Sequence, residues 1–129
     1  MEVNFALALA LKNSGFDENC VRGYDATRGN RLKSPTSTKH FGKYCSSNKH
    51  IIKAPTYDQV IDWLREKHNT VLWISYEGIT EEEGLLYTWN IASPYMESFK
   101  DDELKSNNYR NELDYGILKC LNIIPQNND

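Results

Sequence analysis

Four side chains in the first half of the chain are of metal-binding type: Cys20, His40, Cys45 and His50. A tetrahedral zinc site needs four such donors converging at ~2.0–2.3 Å, and structural sites usually close through cysteine pairs two to four residues apart. No such pair exists here. These four are candidates, and the plainer reading is buried thiols and solvent-facing imidazoles. Cys20 or Cys45 beside His40, His50 or His68 would make an activated thiolate if the fold brought them together. Nothing around either cysteine resembles a nucleophile motif. The expectation is therefore no metal, no cofactor and no catalytic residue, with the balance against an enzyme.

The second constellation is basic. Residues 20–54 carry eight Lys/Arg (Arg22, Arg28, Arg31, Lys33, Lys39, Lys43, Lys49 and Lys53) and one acid, Asp25, in a chain whose net charge is −3. Tyr24, Phe41 and Tyr44 are interleaved with them. Cations that neutralise phosphates and rings that stack on bases are what single-strand nucleic-acid binding requires. Against that, no helix-turn-helix, finger or RNA-recognition motif is present, and the whole chain is acidic. The alternative is that these charges solvate a polar loop and pair with the acidic remainder. Arg22, Arg28, Arg31, Lys33, Lys43 and Tyr44 are the candidate binding residues of this segment.

Acids gather at Glu81-Glu82-Glu83 and Asp101-Asp102-Glu103. Adjacent acids in a turn lack the alternating ligand spacing of a calcium loop, so they read as solvated surface or as a counterpart to the basic segment. Trp73 is a further candidate, as an anchor for a protein partner.

The elements that must hold these residues follow from periodicity. Val3, Ala6, Leu7, Ala10 and Leu11 give one apolar helical stripe, predicting a helix over 2–13 that stops at Asn13-Ser14-Gly15. Residues 18–53 are expected to be irregular, with two short strands around Thr27-Arg28-Gly29 and polar loops at Ser34–Thr38 and Ser46–Lys49. Thr56 and Gln59 form a capping box for a helix over 57–68, with Tyr57, Val60, Ile61 and Leu64 as its buried stripe. Strands at 71–77 and 85–91 make a hairpin across an acidic turn at Gly78–Gly84. One face of it carries Leu72, Ile74, Tyr76, Tyr87, Trp89 and Ile91; the other carries Trp73, Ser75, Thr88 and Asn90. A last helix over 108–123 carries Tyr109, Leu113, Ile117, Cys120, Leu121 and Ile124, with Gly116 as a weak point or a place of close packing. The fold class is thus α+β: a small antiparallel sheet packed against about three helices in a single domain, 1–129.

With those segments placed, three blocks resemble a family of small, uncharacterised proteins of prophages and mobile elements in Bacteroides-type bacteria. They are Phe5–Asp17 followed by Cys20, Ala54–His68, and Tyr109–Ile124. The resemblance implies an α+β domain and a phage or mobile-element setting, and it brings no catalytic residues.

The cysteines are odd in number and far apart, which suits a reducing compartment. No targeting segment and no stretch long enough to span a bilayer is visible. The expected protein is cytoplasmic, with no membrane contact, and non-catalytic: an accessory binding protein of a prophage or mobile element whose partner is a protein or a nucleic acid. The alternative is a nucleic-acid binder using segment 20–54.

Overall fold

The computed structural model describes residues 1–25, 27, 29–33, 51–100 and 107–125, and of Lys33 and residues 96–100 the backbone alone. These residues form an α+β fold with helices α1 (Phe5–Asn13), α2 (Tyr57–His68) and α3 (Tyr109–Ile123). The strands are β1 (Arg22–Asp25), β2 (Arg31–Lys33), β3 (Ile51–Ala54), β4 (Val71–Thr80), β5 (Gly84–Ser93) and β6 (Met96–Lys100). All pairing is antiparallel, in two three-stranded sheets ordered β2-β1-β3 and β4-β5-β6. The chain divides into two compact units, Met1–Val60 and Ile61–Pro125, with the boundary inside α2.

In the first unit α1 begins at Phe5, three residues later than periodicity indicated. Asn4 explains the delay: it is extended, and its Oδ1 accepts from the Leu7 amide at 2.8 Å, an N-cap. Val3, read as helical, instead donates its amide to the Pro55 carbonyl at 2.9 Å beside a Glu2–Thr56 bridge. The far end closes as expected. Gly15 takes φ 95°, and the amides of Gly15 and Phe16 return to the carbonyls of Lys12 and Leu11.

Within 18–53 the described residues are more regular than the composition indicated. β1 and β2 pair as read, with Tyr24 opposite Leu32 and Asp25 opposite Arg31. β3 was not foreseen, and it pairs with β1 from Arg22↔Ala54 to Asp25↔Ile51. Ile51, Ile52 and Ala54 are all buried, so the strand lacks the period-two pattern that betrays a half-exposed one. The expected loops at 34–38 and 46–49 lie outside the described residues.

The Thr56–Gln59 capping box forms as read. The Thr56 amide donates to Gln59 Oε1 at 2.9 Å, and the Gln59 amide donates to Thr56 Oγ1 at 3.2 Å. Asn69, at φ 54°, ends α2. Val60, Trp63 and Leu64 are its buried residues, while Tyr57 and Ile61 are half-buried.

In the second unit the hairpin register matches the expected faces: Leu72↔Ile91, Ile74↔Trp89 and Tyr76↔Tyr87 on one side, Trp73↔Asn90 and Ser75↔Thr88 on the other. The strands run on past the expected turn, which shrinks to Glu81–Glu83. Gly78 lies not in the turn but at a register shift in β4, at φ 145°. β6 is a further addition. Its residues follow Pro94 and carry mixed polar character, so they read as loop until the pairing of Asn90 with Lys100 and Ile91 with Phe99 is seen. Helix α3 lies on the Leu72/Trp89 face. A Cβ added at Gly116 would stand 2.6 Å from Leu72 Cδ1 and 3.0 Å from Trp89 Cβ, so the glycine marks close packing.

Candidate functional site

Among the described residues, the largest concentration of exposed apolar side chains is on the β4–β5 hairpin. Trp73 is 45% exposed, Tyr76 59%, Ile79 68% and Leu85 44%. The register explains the grouping. Beyond the shift at Gly78, Ile79 pairs with Leu85 and so shares a face with Tyr76 and Tyr87. α3 covers the base of that face through Leu72 and Trp89, while the tip stays open. Tyr87 there meets the exposed Tyr109 edge-on, with ring centroids 5.5 Å apart. Trp73 stands on the opposite face, as the alternation required.

That opposite face is more ordered than its polar composition suggested. Thr88 and Asn90 are buried. The Asn90 amide donates to Ser75 Oγ at 3.0 Å and reaches the Trp73 and Thr88 carbonyls at 3.4 Å. Ser75 in turn donates to Glu77 Oε1 at 2.9 Å. These bonds hold the backbone under Trp73, so the indole stands on a fixed platform rather than a loop.

The hairpin's charge is of one sign. Residues 69–99 contain five Glu and no Lys, Arg or His. Three of the acids, Glu81, Glu82 and Glu83, form the exposed turn. The Glu83 amide donates to Thr80 Oγ1 at 3.0 Å, and Asn107 donates to the Glu83 carbonyl at 3.2 Å, which fixes the turn beside the open apolar tip. The absence of cations over thirty-one residues is the sequence signal that points to this surface.

The basic segment presents a different picture where it is described. Arg22 pairs with Glu2 at 3.0 Å. Lys53 donates to the Asp17 carbonyl at 2.8 Å. The Tyr24 hydroxyl donates to the Val3 carbonyl at 2.6 Å, and its ring packs edge-on against Phe5 with centroids 5.7 Å apart. Burial, with Glu2 nearby, pushes the Tyr24 hydroxyl above its usual pKa. Tyr24 is thus a structural residue, not a free stacking ring. Arg31 is exposed on the outer strand β2. The side chain of Lys33, and all of Arg28, Lys43 and Tyr44, lie outside what is described.

A cleft of about 500 Å³ opens in the first unit, lined in part by Met1, Glu2, Val21, Arg22, Thr56 and Gln59. Its polar side chains are already engaged: Glu2 with Arg22, Thr56 with Gln59, and the Gln59 amide with the Asn19 carbonyl at 3.1 Å. Such a cleft has few free groups with which to orient a ligand.

Of the candidate metal donors, Cys20 is buried, and its thiol lies 3.5 Å from the Glu18 carbonyl. His40, Cys45 and His50 lie outside the described residues. Among the described residues no group of three or more His, Cys, Asp or Glu side chains is placed to hold a metal ion. Burial raises the Cys120 thiol pKa to about 12, which leaves it almost wholly protonated at neutral pH. His68 packs edge-on against Trp63 with centroids 4.7 Å apart, and burial lowers its pKa. Two acids are buried with no sequence pattern to mark it: Asp25, whose Oδ1 accepts from Thr27 Oγ1 at 2.6 Å, and Glu112 on the covered side of α3.

Comparison with protein-family models, with curated proteins and with solved structures gives no match for this chain. No described helix is long and apolar enough to cross a membrane.

Proposed function

We propose that the chain is a non-catalytic binding protein, an accessory factor of a prophage or mobile element, whose β4–β5 hairpin takes a protein partner. The setting rests on the resemblance of Phe5–Asp17, Ala54–His68 and Tyr109–Ile124. The binding role rests on one observation: four large apolar side chains, Trp73, Tyr76, Ile79 and Leu85, stand exposed on a paired hairpin that carries acids and no cation. Aromatic side chains held on rigid backbone lose little entropy on contact, which is why they anchor interfaces. The acidic rim would attract and orient a partner with a basic surface and repel acidic competitors.

The test pairs two measurements. Tagged protein and its Tyr76→Ser/Ile79→Ser variant are used to recover partners from phage-infected cells, and both are titrated with mixed single- and double-stranded DNA and RNA at ~50 and ~200 mM salt. A basic protein held by the wild type and lost by the variant supports the reading. Salt-sensitive nucleic-acid binding that Arg31→Ala and Lys33→Ala abolish would overturn it in favour of the basic segment.

A further inference from the structure

Three tyrosines meet on the helix side of the hairpin tip. Tyr76 and Tyr87 stand directly opposite one another in the β4–β5 register, and side chains so placed have Cβ atoms ~4.5–5.5 Å apart. Tyr109, the first residue of α3, meets Tyr87 edge-on, with ring centroids 5.5 Å apart. An edge-on contact covers one ring face, where a stacked contact covers two. Tyr76 is 59% exposed and Tyr109 51%, and Tyr87 between them is half-buried. Aromatic surface is thus left in water on backbone that strand pairing and a helix hold fixed. Ile79 and Leu85, exposed on the same face, extend it toward the turn with aliphatic surface.

The charge around the rings says what they suit. The face of an aromatic ring is negative and attracts cations. Residues 69–115 carry ten Asp/Glu against Lys100, Lys105 and Arg110. Glu81, Glu82 and Glu83 are exposed in the turn, and Asn107, two residues before Tyr109, donates to the Glu83 carbonyl at 3.2 Å, so the turn borders the rings. Arg110 follows Tyr109 on α3, and successive helical residues point ~100° apart, so it does not share the Tyr109 side of the helix. An apolar group would gain from Ile79 and Leu85 but nothing from the carboxylates, and rings and carboxylates alike repel an anion. A cation on an aliphatic stem gains from all three. From this we infer that the tip anchors a Lys or Arg side chain of a basic protein segment, its charge over the Tyr76, Tyr87 and Tyr109 rings and its stem along Ile79 and Leu85. The inference rests on the reading that the hairpin takes a protein partner, and it names the side chain taken.

The probes are short capped peptides that alternate glycine with arginine, lysine or citrulline. Citrulline keeps the length and planar head of arginine without its charge. Each is titrated into the protein while NMR follows the tyrosine ring protons. The arginine and lysine peptides should shift the rings of Tyr76, Tyr87 and Tyr109, arginine binding the tighter because its planar head stacks. The citrulline peptide should bind roughly tenfold more weakly or worse. Tyr76→Leu keeps apolar bulk and removes the ring, so it should weaken the arginine peptide about two- to fivefold, the effect of one exposed cation–ring contact. Tyr76→Phe keeps the ring and should bind more tightly than Tyr76→Leu. Glu81→Gln/Glu82→Gln/Glu83→Gln should weaken both cationic peptides and flatten their salt dependence between ~50 and ~200 mM. Circular dichroism checks that each variant is folded. A citrulline peptide that binds as tightly as the arginine one overturns the inference. So do equal affinities in Tyr76→Leu and Tyr76→Phe, shifts that bypass the three tyrosines, or no binding of any peptide up to ~10 mM. Capture of a protein partner that Tyr76→Ser/Ile79→Ser abolishes, beside a peptide series indifferent to charge, would remove this inference and leave the partner-binding role. The expected peptide series with no protein captured from cells would uphold the cation site and remove that role.

Discussion

The described residues form two three-stranded antiparallel sheets that differ in nearly every respect relevant to binding. The β2-β1-β3 sheet is short-stranded, at four, three and four residues, and lies in the most basic part of the chain. Three of its described polar side chains are committed inside the unit, Arg22 to Glu2, Lys53 to the Asp17 carbonyl and Tyr24 to the Val3 carbonyl, while Arg31 stands exposed on β2. The β4-β5-β6 sheet has two ten-residue strands, no positive charge before Lys100, and aromatic and aliphatic side chains left in water. The comparison teaches that charge density is a poor guide to a surface's availability. A cation already paired contributes to the fold, whereas an exposed indole on a fixed strand has nothing yet to do.

The sharpest way to test this contrast is at the covered face of the second sheet, because the exposed tip means something only if the base is firmly closed. At Gly116 a side chain would meet Leu72 Cδ1 and Trp89 Cβ at 2.6 and 3.0 Å. Overpacking of a closed interior costs about 1–3 kcal/mol. Gly116→Val should therefore lower the free energy of unfolding in urea by about that amount. Unchanged stability would mean that α3 is not seated on the sheet, and the distinction between closed base and open tip would fall.

A smaller effect tests the other side of the comparison. Tyr24→Phe keeps the ring against Phe5 and removes only the hydroxyl that donates to Val3. One such bond contributes roughly 0.5–1.5 kcal/mol, and urea unfolding should show a loss in that range. If stability is unmoved while nucleic-acid affinity falls, Tyr24 belongs to a working surface, and the first sheet is the functional one.

How far the sequence leads can be judged from these same elements. The capping box at Thr56/Gln59 and the hairpin faces from Leu72 to Ile91 were legible, because each depends on near neighbours or on strict alternation; at Gly116 the pattern offered a weak point or close packing, and only the fold, which brings Leu72 and Trp89 there, decides for packing. β3 was not, because Ile51, Ile52 and Ala54 are buried without alternating, and a short apolar run alone does not distinguish a strand from a helix. The start of α1 was misplaced because periodicity extends through Val3, whereas Asn4 decides the boundary by capping. Of the candidate site, Trp73 was legible from alternation alone. Ile79 was not, because the shift at Gly78 turns it onto the Tyr76 face, and a bulge leaves no mark in the pattern before it. The engagement of Arg22 and Tyr24 also lay beyond reading, since Glu2 and Val3 are about twenty residues away and reach them only through the fold.

His68 allows a pH test confined to the second unit. Burial against Trp63 lowers its folded-state pKa below the ordinary 6.5. The unfolded chain therefore binds the proton more readily than the folded one, and stability falls as pH drops through 6.5 toward the folded value. Carboxylates add their own losses at lower pH, so the His68 contribution is the difference between the wild type and His68→Gln from about pH 7 to 5. The wild type should lose more over that interval. Parallel curves would mean that the imidazole is as well solvated as in the unfolded chain.

The smallest expected change in stability is also the most discriminating. Trp73→Ala and Arg22→Ala each remove an exposed side chain, one from each sheet. Substitutions at exposed sites away from caps and cores usually move stability by no more than ~0.5 kcal/mol, and an exposed ion pair such as Arg22–Glu2 typically contributes ~0–1 kcal/mol. Neither should matter to urea unfolding. They part company in binding. Loss of an aromatic anchor from an interface costs upward of ~2 kcal/mol, or roughly thirtyfold in affinity, so Trp73→Ala should weaken capture of any partner that engages its face of the hairpin, while Arg22→Ala leaves it unchanged. Since Trp73 and Tyr76 lie on opposite faces, a partner insensitive to Trp73→Ala but lost with Tyr76→Ser/Ile79→Ser is confined to the helix side of the tip. If Arg22→Ala reduces binding and both hairpin changes do not, the comparison inverts: the paired cation is then the available group, released from Glu2 when the partner arrives.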